Sequence, residues 1–103
     1  MQNIPIDEMR EAANRVVDLL KVLSNPQRIL LLCEIAQAER NVGELEKLLD
    51  IRQPTLSQQL GVLRRTGMVE TRRDGKQIYY QMASQEALTL MNTLYELFCM
   101  RKV

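Results

Sequence analysis

Histidine and tryptophan are missing altogether, and aromatic residues are limited to three tyrosines and one phenylalanine. Without histidine the chain lacks the commonest general base and the commonest metal ligand, which sets hydrolases and imidazole-built zinc sites aside. Cysteine occurs only at Cys33 and Cys99, too few for a disulfide scaffold and too far apart for a CxxC motif. Three prolines and four glycines are too few for a low-complexity tail or a sandwich of short strands and turns. No apolar run approaches the roughly 20 residues of a membrane span. The start, Met1-Gln2-Asn3-Ile4-Pro5, lacks a basic and then apolar leader, so a cytoplasmic protein without a membrane partner is expected. There is no glycine-rich phosphate loop and no imidazole to activate either thiol, so the chain is not expected to be an enzyme or to carry a cofactor or resident metal.

What remains is a chain of 103 residues, 46% hydrophobic and 26% charged. That is the size of one domain with a genuine core, taken here as residues 1–103. The net charge of +1 hides an uneven distribution. Residues 1–51 hold six bases and nine acids, whereas residues 52–76 hold Arg52, Arg64, Arg65, Arg72, Arg73 and Lys76 against only Glu70 and Asp74. A basic block on an otherwise acidic body is the footprint of a polyanion partner.

Periodicity predicts a first amphipathic helix over about residues 6–23, with Met9, Ala12, Ala13, Val16, Val17, Leu19, Leu20 and Leu23 at helical spacing. Ser24-Asn25-Pro26 supplies a cap and a first-turn proline for a second helix, whose residues 29–36 are apolar almost all round, as in a buried central helix. After a polar break at Glu39-Arg40-Asn41, the spacing of Val42, Leu45, Leu48 and Leu49 predicts a short third helix ending near Asp50. Gln53-Pro54 opens a fourth, with Leu56, Leu60 and Leu63 on one stripe and Gly67 as its left-handed stop. Two helices joined by a tight turn make a helix-turn-helix. Strand-like residues 68–73 and 76–82 flank Asp74-Gly75, a hairpin signal that supplies a wing. Ser84 caps a last helix reaching about Cys99, whose apolar residues, from Ala87 and Leu88 to Leu97 and Phe98, cover more than one face.

The expected fold is therefore mainly α with a small β-hairpin: four helices, a two-stranded wing and a fifth helix, a winged helix-turn-helix. The surplus apolar surface of the first and last helices points to a two-fold homodimer through them. The alternative is that one small core hides both.

On the fourth helix Pro54, Ser57, Gln58, Gly61 and Arg65 point away from the leucine stripe. Short polar side chains there suit base edges in a major groove, and Gln58 can bond adenine through two atoms. Gln59 turns toward the core and ranks lower. Gly61, unfavourable in a helix interior, suggests close approach to another surface. Arg72, Arg73 and Lys76 at the hairpin tip suit phosphates or a narrow minor groove, and Arg52, Gln53 and Thr55 at the helix start suit the phosphate backbone. The plainer alternative is a solvated helix face. The partner expected is a double-stranded DNA operator, with an inverted repeat matching the dimer's symmetry.

The run Gln53-Pro54-Thr55-Leu56-Ser57-Gln58-Gln59-Leu60, continued by Val62-Leu63-Arg64, Gly67-Met68-Val69, Arg72-Arg73, Gly75 and Tyr79-Tyr80, and preceded by Leu23-Ser24-Asn25-Pro26-Gln27-Arg28, resembles the ArsR/SmtB family of winged-helix repressors. The resemblance covers most of the chain. It implies a dimeric bacterial repressor that leaves its operator when an inducer binds or modifies it. The metal sites of that family use a cysteine-rich third helix or a histidine-and-carboxylate set on the last helix, and this sequence departs from both. Its cysteines, Cys33 on the second helix and Cys99 on the last, instead resemble the biofilm growth-associated repressor branch, which responds to sulfide-derived persulfides or oxidants. The resemblance implies release through a Cys33–Cys99 disulfide or sulfur bridge. Three alternatives stay open: Cys33 as a small core hydrophobe beside an incidental Cys99, a thiolate sensor of a soft metal, and a winged helix that binds protein rather than DNA.

Overall fold

Short polar side chains start three of the five helices by replacing missing backbone partners. In the computed structural model, which describes residues 3–100, Asn25 caps α2 (Pro26–Gln37) by accepting from the backbone N–H groups of Gln27 at 2.9 Å and Arg28 at 3.1 Å. Asn41 caps α3 (Val42–Leu49) in a reciprocal box: its side chain accepts from Glu44 N, and the Glu44 carboxylate accepts from Asn41 N. Ser84 caps α5 (Gln85–Tyr95) through Ala87 N at 3.0 Å. The first helix, α1 (Ile6–Leu23), has no side-chain cap, but Asp7 and Glu8 in its first turn and Lys21 in its last complement the helix dipole. The fourth, α4 (Thr55–Arg65), is followed by Gly67 at φ 77°, the left-handed position predicted for it.

The leucine stripes converge on one cluster. Leu31 and Leu32 of α2, Leu45 of α3, Leu56, Leu60 and Leu63 of α4, and Met91 of α5 are all fully buried. Each such side chain contributes about 1.5–3 kcal/mol by leaving water, so α4 is seated by three of them. Leu30 departs from the expectation of an apolar helix buried all round: it lies on the outer side of α2 and is 46% exposed.

Three strands form an antiparallel sheet in the order β1-β3-β2. The wing is β2 (Val69–Asp74) against β3 (Gln77–Met82), in register from Val69 opposite Met82 to Asp74 opposite Gln77. Its two-residue turn is Gly75-Lys76, one residue later than Asp74-Gly75 suggested; only Gly75, at φ 63°, is left-handed. Positive φ at the first central position alone suits a glycine-led hairpin turn. The third strand, β1 (Arg40–Asn41), occupies what the sequence pattern marks only as a polar break. It pairs Arg40 with Tyr80 and Asn41 with Tyr79, fastening the chain after α2 to the root of the wing. The last helix is regular to Tyr95 and continues as a wider π-helical turn, Glu96–Met100, so it reaches Cys99 in altered geometry.

Only Val22 and Leu23 of α1 are buried. Met9, Val16, Val17 and Leu20 remain 46–51% exposed, and Phe98 beyond α5 is 78% exposed. The chain therefore does not hide these apolar faces in its own core. No helix among the described residues is long and apolar enough to cross a membrane.

Candidate nucleic-acid interface

The outward face of α4 follows from its inward one. With Leu56, Leu60 and Leu63 sealed, Ser57, Gln58 and Arg65 emerge exposed, and Thr55 lies on the half-buried flank. Gln53, just before the helix, accepts from Ser57 N at 3.1 Å through its side-chain oxygen, so it serves as a surrogate cap. Gln59 is half-buried and turned inward, as its position on the stripe predicted: its oxygen accepts from Arg28 Nη1 at 3.0 Å and its nitrogen donates to Gln27 at 3.3 Å. Among the described residues, Gly61 makes no close approach to another element: the group within 4 Å of a Cβ placed there is the Arg65 guanidinium of the same helix, at 3.1 Å. The flexible end of that side chain lies over an otherwise open helix surface.

The cations divide into held and free. Arg72 Nε and Nη2 donate to the two carboxylate oxygens of Glu39 at 2.9 and 2.8 Å, a bidentate pair. The same guanidinium sits 4.9 Å from the centre of the Tyr79 ring and 3.8 Å from Asp74. The hydrogen bonds from Arg72 hold the Glu39 carboxyl below the usual glutamate range. Arg64, Arg65, Arg73 and Lys76 are exposed and have no salt-bridge partner among the described residues. Arg52 has only a loose contact with Asp50 at 3.8 Å. Of the three wing cations singled out from the sequence, Arg73 and Lys76 are exposed and without a salt-bridge partner among the described residues, while Arg72 is clamped to the segment after α2. Sequence reasoning missed Glu39, which lies 33 residues from its partner and carries no local signal.

The two thiols lie in one region. Cys33, half-buried on α2, lines a cleft of about 230 Å³ with Ala36, Gln37, Met91, Asn92 and Tyr95, between α2 and α5. Cys99, one turn beyond Tyr95, is exposed. Burial pushes the Cys33 thiol above its ordinary pKa; the negative charge of a Cys99 thiolate and of Glu34 act in the same direction. Both cysteines are free thiols, one on α2 and one on the turn beyond α5, and α2 packs against α5. Among the described residues, no group of three or more cysteines and carboxylates is placed to hold a metal ion.

This architecture has close counterparts. The sequence model described as "Bacterial regulatory protein, arsR family" matches residues 25–71, from the α2 cap through α4 into the wing. The biofilm growth-associated repressor of Agrobacterium fabrum is 55% identical over 96 residues, covering 93% of this chain and 82% of that protein. The crystal structure of the transcriptional repressor BigR from Xylella fastidiosa superposes with a TM-score of 0.85 at 51% identity, covering 93% of this chain and 98% of that one. The homodimeric winged helix-turn-helix DNA-binding domain of Mb0332 from Mycobacterium bovis, solved in solution, matches with a TM-score of 0.72 at 28% identity over 94% of this chain and 89% of that one. With its helix-turn-helix, two-stranded wing and exposed polar face on α4, the chain is a winged helix-turn-helix transcriptional repressor of the arsR family, not an enzyme.

Proposed function

We propose that residues 1–103 form one winged helix-turn-helix subunit of a two-fold homodimer that binds an inverted-repeat DNA operator in the cytoplasm and releases it when Cys33 and Cys99 are joined. The observation that carries the DNA-binding part is the contrast between what α4 buries and what it and the wing expose. The leucines of α4 are sealed, while Ser57, Gln58 and Arg65 on the same helix and Arg73 and Lys76 on the wing are exposed, and these cations have no salt-bridge partner among the described residues. Ser57 and Gln58 read base edges, Gln53, Thr55 and Arg52 set the register on phosphate, Arg65 reaches the adjoining backbone, and the wing cations hold the flanking strand. Arg72 shapes the wing through Glu39 and adds positive charge to it. The exposed apolar residues of α1 and of the C-terminal turn supply the dimer surface, in keeping with the homodimeric domain to which the chain is similar.

The thiol step follows from accessibility. Cys99 is exposed, whereas Cys33 is half-buried with its thiolate disfavoured, so Cys99 attacks first. Its thiolate takes the terminal sulfur of an inorganic polysulfide; the polysulfide S–S bond breaks and the shortened chain leaves as an anion. The Cys33 thiolate then attacks the Cys99 sulfur and expels hydrosulfide, leaving a Cys33–Cys99 disulfide. Two thiols are oxidised and the polysulfide sulfur is reduced. The bond ties α2, which leads into the wing through Glu39 and β1, to the π-helical turn that follows α5. A soft-metal reading would use the same two thiols, but one chain offers no third ligand beside them among the described residues.

The test selects duplexes from a random-sequence pool with the reduced protein, then repeats binding after sodium polysulfide treatment. Binding that weakens steeply with salt, an inverted repeat in the selected pool, and release that disappears in both Cys33→Ser and Cys99→Ser are expected. Salt-independent or absent binding overturns the DNA reading, and release that survives either substitution overturns the thiol reading.

A further inference from the structure

Arg28 appears in the sequence only as the last residue of the Leu23-Ser24-Asn25-Pro26-Gln27-Arg28 run, yet its side chain makes three hydrogen bonds, to three different residues. Its Nε donates to the Val22 carbonyl at 2.6 Å and its Nη2 to the Lys21 carbonyl at 3.3 Å. Both carbonyls belong to the last turn of α1, where helix geometry leaves acceptors short of i+4 donors and the dipole favours a cation; the Lys21 carbonyl also accepts from Ser24 N at 3.3 Å. The third donor, Nη1, crosses to Gln59 Oε1 on α4 at 3.0 Å, and Gln59 Nε2 closes the circuit on Gln27 Oε1 at 3.3 Å. One planar guanidinium, fixed to α2 by its own backbone, therefore touches the end of α1 and the middle of α4 at once.

We propose that Arg28 and Gln59 are positioning residues that lock the recognition helix α4 to the dimer helix α1, so that Gln59 governs operator reading without touching a base. The inference rests on the DNA-binding reading above. Three observations support it. First, both functional ends of the Gln59 amide are already bonded within the chain and the side chain is half-buried, unlike its exposed neighbours Ser57 and Gln58. Second, Leu56, Leu60 and Leu63 fix which face of α4 is buried, but apolar contact is non-directional and tolerates small rolls and slides. A fork of hydrogen bonds in fixed geometry does not. Third, α1 carries an exposed apolar stripe, and in the dimer proposed above that stripe meets the partner, so the angle between α1 and α4 sets how far apart the dimer presents its two α4 helices. That separation must match the half-site spacing of the operator.

The experiment is a double-mutant cycle on the full-length dimer. Binding is measured to the selected inverted repeat and to the same repeat with one base pair added or removed between half-sites. Gln59→Ala and Arg28→Met are each expected to lower affinity for the natural spacing about tenfold and to flatten the preference among the three spacings. The double variant should be no worse than either single one, and the dimer dissociation constant should stay unchanged. Gln59→Glu, which keeps the acceptor facing Arg28, should restore the spacing preference; Arg28→Lys keeps the charge without the fork and should not. Additive losses would overturn the proposal, as would a Gln59→Ala protein that changes base preference at one operator position while keeping its spacing preference, because Gln59 would then be a base contact. Wild-type protein that binds no duplex would overturn the DNA reading itself, whereas wild-type binding combined with additive variants overturns the joint alone.

Discussion

Replacing Phe98 by serine tests the proposed dimer surface apart from the fold, because this side chain is 78% exposed. Fully burying a phenylalanine contributes about 1.5–3 kcal/mol, and most of that remains to be gained when a partner covers the ring. About 2 kcal/mol per protomer is therefore at stake. Two-fold symmetry places the ring in the interface twice, giving about 4 kcal/mol, or roughly a thousandfold in the dimer dissociation constant. Sedimentation equilibrium over a concentration series reads that shift directly, and a urea melt of the monomeric fraction should show unchanged fold stability. Operator affinity should fall with dimer population, because a single half-site loses the second recognition helix. A Phe98→Ser protein with an unaltered dimer constant would refute the assignment of the C-terminal turn to the interface.

Contacts that specify should separate from contacts that only attract. Ser57→Ala or Gln58→Ala is expected to cost about 1–3 kcal/mol on the selected operator and to relax base preference, whereas Arg73→Ala should weaken all duplexes alike and lower the salt slope by about one; the reverse pattern in a salt-series titration would show the sorting to be mistaken. The folded pKa of Glu39 lies below its ordinary value, so its bond to Arg72 holds above the usual glutamate range and is lost as pH falls through the lowered folded pKa. A carboxyl NMR titration should give a midpoint below that of free glutamate and return to it in Arg72→Gln; an ordinary midpoint in the wild type would dismiss the clamp. Iodoacetamide at neutral pH should label Cys99 well before Cys33, with Cys33 catching up only above the ordinary thiol range. Equal labelling, read by peptide mass, would remove the order of attack.

Local rules carried most of the fold. The α1 boundaries, the Asn25 and Ser84 caps, the inward leucines of α4 and the left-handed Gly67 all follow from interactions within a few residues, where propensity and capping operate. The misses are long-range. Two residues, Arg40 and Asn41, contain no alternation to detect and become a strand only because β3 offers free ladder groups. The one-residue turn shift has a similar origin: Asp74 is drawn into the ladder opposite Gln77, leaving Gly75-Lys76 to turn. In the candidate site, exposure of Ser57, Gln58, Arg73 and Lys76 was legible because it follows from helical phase and hairpin position. The bonding of Arg72 to Glu39 and of Arg28 to Gln59 was not, since each joins side chains about thirty residues apart in sequence.

Closure of a sulfur bond and loss of DNA are two events, and a single gel separates them. Reduced protein is bound to the selected operator and treated with a limiting amount of polysulfide. The retarded and free fractions are then cut out for intact mass measurement. Chains in the retarded band should carry both thiols, while those in the free fraction should lack two hydrogens per chain or carry bridging sulfur between Cys33 and Cys99. Bridged chains recovered in the retarded band in proportion to their abundance would contradict the claim that these two sulfurs govern release.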